Sequence, residues 1–175
     1  LQGRSVMNVK YTMELRERGG YEIISDSLFY ATNDADTNLA GLQIIPDTDG
    51  KFTLWQAPTG EYDLVAKYDR YLAKKVQVNL YTGVDTLFVS FGQLKGGDCY
   101  GYSDSLKYVY PDNEIDALGD LNRMATAFLA TPSNPKWDNG TDNWKWADIN
   151  EDGIVETDDL SLTTANVGQK GAQPV

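Results

Sequence analysis

The chain has 175 residues, 41% of them hydrophobic and 11% aromatic, so it can bury a packed core rather than remain disordered. Its 26 acidic and 15 basic side chains give a net charge of −11, which disfavours nucleic acid and anionic membranes as partners. The absence of His excludes imidazole catalysis and His-ligated zinc, the single Cys99 excludes an internal disulfide, and no apolar run is long enough for membrane insertion.

The acidic charge is concentrated in the second part of the chain. Residues 1–96 carry 12 acidic and 10 basic side chains, whereas residues 97–175 carry 14 acidic and 5 basic ones. Crowded carboxylates repel one another, and a bound divalent cation relieves that repulsion; a solvated acidic surface is the alternative. We therefore expect two small domains, 1–96 and 97–175. The start at Leu1, without Met or a signal-peptide pattern, leads us to expect a piece of a longer protein.

The first part is predicted to form an all-β antiparallel sandwich. Its apolar residues alternate with polar ones along short segments, which is typical of strands with one buried face. Turn sequences containing Gly separate the segments, and no helical stripe interrupts them. The predicted strand segments are 8–17, 22–30, 61–68, 75–80 and 86–91.

Three stretches of this part, 50–54, 57–62 and 71–76, resemble carboxypeptidase-regulatory-like domains. The resemblance implies a transthyretin-like sandwich that serves as a spacer in large extracellular proteins. Carbohydrate binding by the sandwich stays an alternative, although filling of the core or an edge is the favoured role of its aromatic residues. The aromatic candidates for sugar stacking are Trp55, Tyr68, Tyr71 and Tyr81.

The twelve residues from Asp148 to Asp159 match a calcium-binding loop, which we call loop 2. Oxygen-bearing side chains stand at positions 1, 3 and 5, Gly153 at position 6 and a carboxylate at position 12. Calcium takes six to eight oxygen ligands at roughly 2.3–2.6 Å, so a short segment must fold back on itself to supply them. Val155, at position 8, is expected to point into the core. The expected ligands are Asp148, Asn150, Asp152, the Ile154 carbonyl, Glu156 and Asp159.

A single helix is predicted after this loop, over residues 159–168, with Gly168 ending it. Leu160, Thr163 or Thr164, and Val167 are expected to face the core. Residues 132–143 are rich in turn formers, so we expect no long helix ahead of the loop. The segment is therefore a loop followed by a helix, not a complete helix–loop–helix hand.

A second, degenerate copy is predicted upstream, and we call it loop 1. Asp98 stands at position 1 and Asp120 at position 12, with an insertion-like stretch between them. Tyr100 and Tyr102 stand where acids or amides are expected, so occupancy of loop 1 by calcium stays open. Its ligands would come from Asp98, Asp112, Asp116 and Asp120, and Ile115 would be its buried apolar residue. The helix after it is predicted over 120–128, with a stripe of Leu121, Met124, Ala125 and Phe128.

Two loop-plus-helix repeats after a sandwich resemble a dockerin, on the evidence of Gly97-Asp98, Ile115, Asp120-Leu121 and loop 2 with Leu160. Dockerins are small calcium-dependent, EF-hand-like modules that bind cohesin domains of scaffold or cell-surface proteins, and the sandwich resembles the X-module that accompanies many of them. The resemblance implies non-catalytic docking in a cellulosome-like assembly for polysaccharide degradation, outside a bacterial or archaeal cell. It implies Ca²⁺ at one or two sites.

The resemblance also implies cohesin contacts on the two repeat helices and the residues just before them. The two sets differ in polarity, so we predict a single binding orientation. The implied contact residues are Ala117, Leu118, Leu121, Arg123, Phe128, Thr157, Asp158, Ser161 and Leu162.

Other functions stay open beside docking. In the main alternative, the acidic module is a calcium-stabilised clamp that packs against its own sandwich within a large surface protein and has no cohesin partner. Catalysis is disfavoured because no Ser or Cys nucleophile has a His partner and the acidic residues follow metal-ligand spacing.

Overall fold

The computed structural model describes residues 1–5, 7, 9–20, 22–24, 30–31, 42–55, 57–83, 87–103, 109–139 and 141–172. The chain divides into two compact units. The first unit consists of Leu1–Ser5, Asp69–Leu72 and Gln93–Gln173. The second consists of Val6–Tyr68 and Ala73–Gly92, with the last two residues of the chain. A small β domain and a helical part are thus combined in one chain.

The second unit is built on an antiparallel sheet. Its described strands are β1 Tyr11–Glu17, β2 Tyr30–Ala31, β3 Leu42–Ile44, β4 Leu54–Trp55, β5 Gly60–Lys67 and β6 Lys74–Leu80. Four of them pair in the order β3-β1-β5-β6, and β2 pairs with β4. The register aligns Leu15 of β1 with Leu64 of β5, and Leu64 with Val76 of β6.

The central strand β5 is buried on both faces, whereas its alternating sequence predicts one buried face. Tyr62, Leu64 and Ala66 are buried as expected, but Asp63 and Val65 are buried as well. A strand with neighbours on both sides can be covered above and below the sheet, and its charged residue must then find partners. The Asp63 carboxylate accepts hydrogen bonds from the Lys75 ammonium at 2.9 Å and the Gly19 N–H at 3.1 Å.

Two strand predictions differ from the structure. The prediction for 86–91 is wrong over its described part, because residues 87–91 are not in a strand and Phe88 is 92% exposed. Alternation alone does not supply the hydrogen-bonding partner that a strand requires. Of segment 22–30, Ile23 forms an isolated bridge with Arg16 and Tyr30 begins β2, while residues 25–29 lie outside the described residues.

The sugar-stacking candidates are distributed differently. Tyr68 and Tyr71 are buried, so their rings cannot stack on a sugar, whereas Tyr81 is 58% exposed. The side chain of Trp55 lies outside the described residues.

The first unit contains the short hairpin strands β7 Gly101–Ser103 and β8 Val109–Pro111, and the helices α1 Asp120–Ala127 and α2 Thr157–Asn166. A 3₁₀ turn at Trp144–Ala147 precedes loop 2 in place of a long helix, as predicted. No helix among the described residues is long and apolar enough to cross a membrane.

The buried faces of both helices differ from the predicted ones. In α1, Met124 and Ala127 are fully buried, while Ala125 is exposed and Phe128 is 42% exposed. In α2, Thr163 is buried as predicted, but the core position expected for Val167 is filled by Asn166 instead. The amide of Asn166 donates to the carbonyls of Gly96 at 2.8 Å and Leu162 at 2.9 Å, which makes burial of a polar side chain tolerable.

Candidate metal centre

The first half of loop 2 is wound around the side chains predicted as ligands. The Asp148 carboxylate accepts the N–H groups of Asp152 and Gly153, both at 3.1 Å. The Asn150 oxygen also accepts the Asp152 N–H at 3.0 Å, and the Asp152 carboxylate accepts the Ile154 N–H at 3.0 Å. Positions 1, 3 and 5 therefore lie on the same turn, and Gly153 completes it with φ of 94°.

Asp159 ties the end of loop 2 to its beginning. One carboxylate oxygen accepts the N–H groups of Ile149 at 2.7 Å and Asn150 at 3.1 Å. The other accepts the Glu156 N–H at 2.9 Å, just ahead of the first turn of α2. Asp159 is fully buried. Its side chain is shorter than the Glu that usually stands at position 12 of a calcium loop, and close approach of the backbone accommodates it.

Loop 1 repeats the position-1 pattern with a different sequence. The Asp98 carboxylate accepts the N–H groups of Asp112 and Asn113, both at 2.9 Å, as Asp148 does with positions 5 and 6 of loop 2. Asp112 in turn accepts the Glu114 N–H at 3.1 Å. Asn113 has φ of 68° and stands where loop 2 has Gly153; Asn is among the non-glycine residues that adopt this conformation most readily.

Loop 1 also repeats the position-12 pattern. The Asp120 carboxylate accepts the N–H groups of Cys99 at 2.7 Å and Tyr100 at 2.9 Å with one oxygen, and that of Asp116 at 2.8 Å with the other. The hairpin of β7 and β8 stands between Tyr100 and Asp112, where loop 2 has only Glu151. The insertion therefore lengthens the sequence of loop 1 without changing how its ends are joined.

Position 8 relates the two repeats to each other. The Ile115 N–H donates to the Gln169 carbonyl at 2.9 Å, and the Ile115 carbonyl accepts the Gly168 N–H at 2.7 Å. In the other repeat, the Val155 N–H donates to the Ala130 carbonyl at 3.0 Å, and the Val155 carbonyl accepts the Leu129 N–H at 2.8 Å. Each loop thus pairs with the residues that follow the other helix, with Ile115 and Val155 fully buried as predicted.

The third position of loop 1 has no oxygen ligand equivalent to Asn150. The guanidinium of Arg123 lies 4.8 Å from the centroid of the Tyr100 ring, so this side chain is engaged in a cation–π contact. The side chain of Tyr102 lies outside the described residues.

Burial and crowding act on the carboxylates of both loops. Burial raises the pKa of Asp159 to about 6, with a further contribution from the charge of Asp148 and opposition from the backbone N–H donors. The pKa of Asp120 is likewise raised to about 6 by burial and by the charge of Asp112. Burial also raises the pKa of Asp148 and of Asp112 above the ordinary range. A bound cation would favour the ionised form of all four groups.

The donor chemistry of loop 2 fits calcium. Among the described residues, no three His, Cys, Asp or Glu side chains converge as a ready metal cluster. The loop 2 donor set is broader than that class, since it adds the amide of Asn150 and the main-chain carbonyl of Ile154 to its carboxylates. Hard oxygens of mixed type, on one turn, are the ligands that calcium prefers.

Residues distant in sequence hold loop 2 from outside, and the sequence analysis missed them. Arg70 donates to the Asp148 carbonyl at 2.8 Å, and the Tyr71 hydroxyl lies 3.0 Å from the Ile149 carbonyl. Arg4 and Arg70 both form ion pairs with Glu151. The available signal was weak: Glu151 is an acid at a position of the loop that has no ligand role.

The residues implied for partner binding differ in exposure. Ala117, Thr157, Asp158 and Ser161 are exposed, and Leu118 is 88% exposed.

Three of the remaining candidates are less accessible. Leu121 and Leu162 are half-buried, whereas Arg123 is buried and donates to the Asp142 carbonyl as well as contacting Tyr100. Arg123 thus has an internal role in the first unit, and its contribution to a partner surface stays a prediction.

Two solved structures share the fold of the chain. They are crystal structures of type II cohesin–X-dockerin complexes from Acetivibrio cellulolyticus, one a C-terminal and one an N-terminal interface mutant. Each matches with a TM-score of 0.52, at 15% and 14% sequence identity respectively, over 93% of this chain and 98% of the matched chain. No family model and no curated protein matches the sequence. At this identity the likeness establishes a cohesin/dockerin-related fold alone.

Proposed function

We propose that the chain is an X-module and dockerin pair, a β-sandwich followed by a calcium-loop module, that docks its parent protein onto a cohesin domain when calcium is bound. The observation that carries the proposal is the shared hydrogen-bond pattern of Asp98 and Asp120 in loop 1 and of Asp148 and Asp159 in loop 2. Two equivalent loops, each followed by one helix, are what a dockerin requires. The fold shared with chains of cohesin–X-dockerin complexes supports a cohesin-type partner.

Calcium would supply positive charge and fix the geometry of the loop; it takes no part in a reaction. In loop 2 it would be held by Asp148, Asn150, Asp152, the Ile154 carbonyl, Glu156 and Asp159. The last loop residue, Asp159, is the third residue of α2, so a rigid loop fixes the start of that helix. Without the cation the carboxylates repel one another, and the surface formed by the helix loses its support.

The two helices present different surfaces to a partner. The pair Ala117-Leu118, just before α1, is apolar and exposed, whereas the corresponding pair Thr157-Asp158 forms the first two residues of α2. Binding in two orientations related by a half-turn requires similar pairs at both places. A single orientation is therefore proposed, with extracellular location and absence of catalysis following from the docking role.

The proposal is tested by calorimetric titration of the full chain with calcium, followed by binding to a panel of type I and type II cohesin domains with calcium and with excess EDTA. We expect at least one calcium ion per chain and cohesin binding that EDTA abolishes. Absence of calcium binding, or cohesin binding that is indifferent to EDTA, would contradict the proposal.

A structural module without a cohesin partner is the second candidate function. The bonds from Arg70 and Tyr71 to loop 2 favour it, because they stabilise the loop through the chain itself. Calcium binding and a calcium-dependent melting temperature, with no binding to any cohesin of the panel, would support this alternative over docking.

A further inference from the structure

We propose that Arg70 and Tyr71, which lie between β5 and β6, are positioning residues for loop 2. They fix the backbone of its first two residues, so that the ligand oxygens are arranged before a cation enters. This inference rests on the proposed function in one respect, that loop 2 is the site of a calcium ion. It goes further by assigning part of the cation site to residues 78 positions earlier in the chain.

Both contacts are made to main-chain carbonyls that are not themselves ligands. Arg70 donates to the carbonyl of Asp148 at 2.8 Å, and the Tyr71 hydroxyl lies within hydrogen-bond distance of the carbonyls of Ile149, at 3.0 Å, and Gln2, at 2.9 Å. The Tyr71 hydroxyl has one proton, which these two carbonyls share. Arg70 and Tyr71 are 9% and 0% exposed. Bonds of this kind, shielded from water, hold a backbone more firmly than equivalent bonds at the surface.

Glu151 extends the same arrangement to position 4 of the loop. Its carboxylate pairs with Arg70 at 2.7 Å and also with Arg4. Glu151 has φ of 60°, a conformation that costs an ordinary residue free energy and therefore needs support from its surroundings. The two arginines supply that support, and they keep a carboxylate that has no ligand role paired outside the ligand set.

Packing around Tyr71 explains why its position is fixed. A side chain added at Gly96 would lie 2.7 Å from a methyl group of Ile149 and 3.0 Å from the Tyr71 ring. The backbone of Gly96 therefore approaches both residues closely, and the Tyr71 ring has little room to move. Its hydroxyl is consequently aimed at the loop by packing as well as by hydrogen bonding.

Loop 1 provides an internal control. Its carboxylates accept the same pattern of hydrogen bonds from backbone N–H groups, so it responds to general changes of the first unit. The hairpin of β7 and β8 stands where loop 2 has Glu151, so the two-arginine ion pair has no equivalent position in the sequence of loop 1. Loss of Arg70 or Tyr71 should therefore affect loop 2 selectively.

The first experiment measures amide hydrogen exchange of the whole 175-residue chain in excess EDTA. Tyr71→Phe and Arg70→Gln are expected to accelerate exchange of the Asp152 and Gly153 amides about tenfold, while the equivalent amides of Asp112 and Asn113 change less than about twofold. Tyr62→Phe removes a comparable hydroxyl bond, to the Thr59 carbonyl at 3.0 Å, and should leave both loops unchanged. Equal acceleration in both loops, or none in loop 2, would overturn the positioning role whether or not calcium binds.

The second experiment measures calcium affinity by calorimetry. Tyr71→Phe is expected to weaken calcium binding to loop 2 by about tenfold, because part of the ordering then occurs during binding. Both bonds of Arg70, to the Asp148 carbonyl and to Glu151, come from the same guanidinium nitrogen, Nη1. Arg70→Lys keeps the charge but not the fixed directions of these two N–H bonds, so it should weaken binding as Arg70→Gln does. Unchanged affinity in these variants would overturn the inference. Failure of the parent chain to bind calcium would overturn the proposed function, and the exchange experiment would still decide the positioning role.

Discussion

Leu129 occupies after α1 the backbone position that Gly168 occupies after α2. Both residues have positive φ, 63° for Leu129 and 85° for Gly168, and each donates its N–H to the position-8 carbonyl of the opposite loop. The residues just before them, Phe128 and Val167, also match, with φ of −55° and −52° and ψ of 133° and 135°. The repeat therefore extends past the helices, with a leucine in a conformation that glycine adopts freely.

Leu129→Gly is therefore expected to raise the free energy of unfolding by up to about 1 kcal/mol. The left-handed conformation costs a leucine roughly 1–2 kcal/mol, which the glycine variant avoids. The greater entropy of glycine in the unfolded chain opposes this stabilisation by about 0.5–1 kcal/mol. The side chain is 66% exposed, so its removal sacrifices little burial. Urea denaturation of parent and variant measures the difference.

The matched control for this prediction is Gly168→Ala, at the equivalent position. No neighbouring atom lies within 4 Å of a side-chain carbon added there, so the space is open and only the conformation opposes the change. We expect a loss of about 1 kcal/mol. Stabilisation by Gly168→Ala, or destabilisation by Leu129→Gly, would show that the two positions are not equivalent.

The sequence predicted those parts of the first unit that depend on local pattern. The burial of Ile115 and Val155 and the position of Gly168 after α2 are confirmed, while the ligand assignments in loop 2 stay predictions. Each is determined by a few neighbouring residues, through turn geometry or side-chain periodicity.

What the sequence did not predict depends on contacts between distant residues. Arg70 and Tyr71 lie between the predicted strand segments 61–68 and 75–80, and their hydrogen bonds to loop 2 have no local signature. Likewise, the periodicity of α1 does not reveal that Arg123 is buried against the Tyr100 ring. It also placed Phe128 on the core stripe, although α1 ends at Ala127 and Phe128 has a non-helical ψ of 133°. These outcomes follow from the tertiary arrangement, which no window of the sequence contains.

If the chain binds two calcium ions, Asp152→Ala is expected to abolish the tighter of the two binding events, which we assign to loop 2. The substitution removes the oxygen ligand at position 5 and the acceptor for the Ile154 N–H. Stabilisation of about 2.7 kcal/mol, which the parent chain would gain at a calcium concentration 100 times the dissociation constant, should be lost. Melting curves with calcium and with EDTA measure this difference.

Asp112→Ala is the equivalent change in loop 1, where Asp112 accepts the Glu114 N–H. Because Tyr100 replaces the oxygen ligand at position 3 of this loop, the substitution is expected to leave the tighter event intact. Loss of that event in Asp112→Ala and its retention in Asp152→Ala would reverse the assignment of the two loops.

Leu118→Asp is expected to weaken cohesin binding at least tenfold, corresponding to about 1.4 kcal/mol. The side chain is 88% exposed and lies just before α1, so its substitution should leave the melting temperature unchanged. Asp158→Ala, at the corresponding place in the first turn of α2, should weaken binding less if docking uses one orientation. Surface plasmon resonance in calcium measures both affinities, and equal losses would contradict a single orientation.

Because of Asp63, the second unit is expected to lose stability as the pH falls below about 4. Burial by itself would raise the pKa of this carboxyl, but the hydrogen bonds and charge of Lys75, with the Gly19 N–H, outweigh it and hold the pKa below the ordinary value. A group whose pKa is lower in the folded state stabilises that state above the pKa of the unfolded chain, and the contribution disappears as the folded group is protonated.

Asp63→Asn should cost about 1–3 kcal/mol at pH 7 and flatten the dependence of stability on pH between roughly 5 and 3. Asp49→Asn is the control, since the Lys51–Asp49 pair is exposed and should contribute little. An unchanged acid limb in the urea midpoints of Asp63→Asn would show that other carboxylates determine the acid sensitivity.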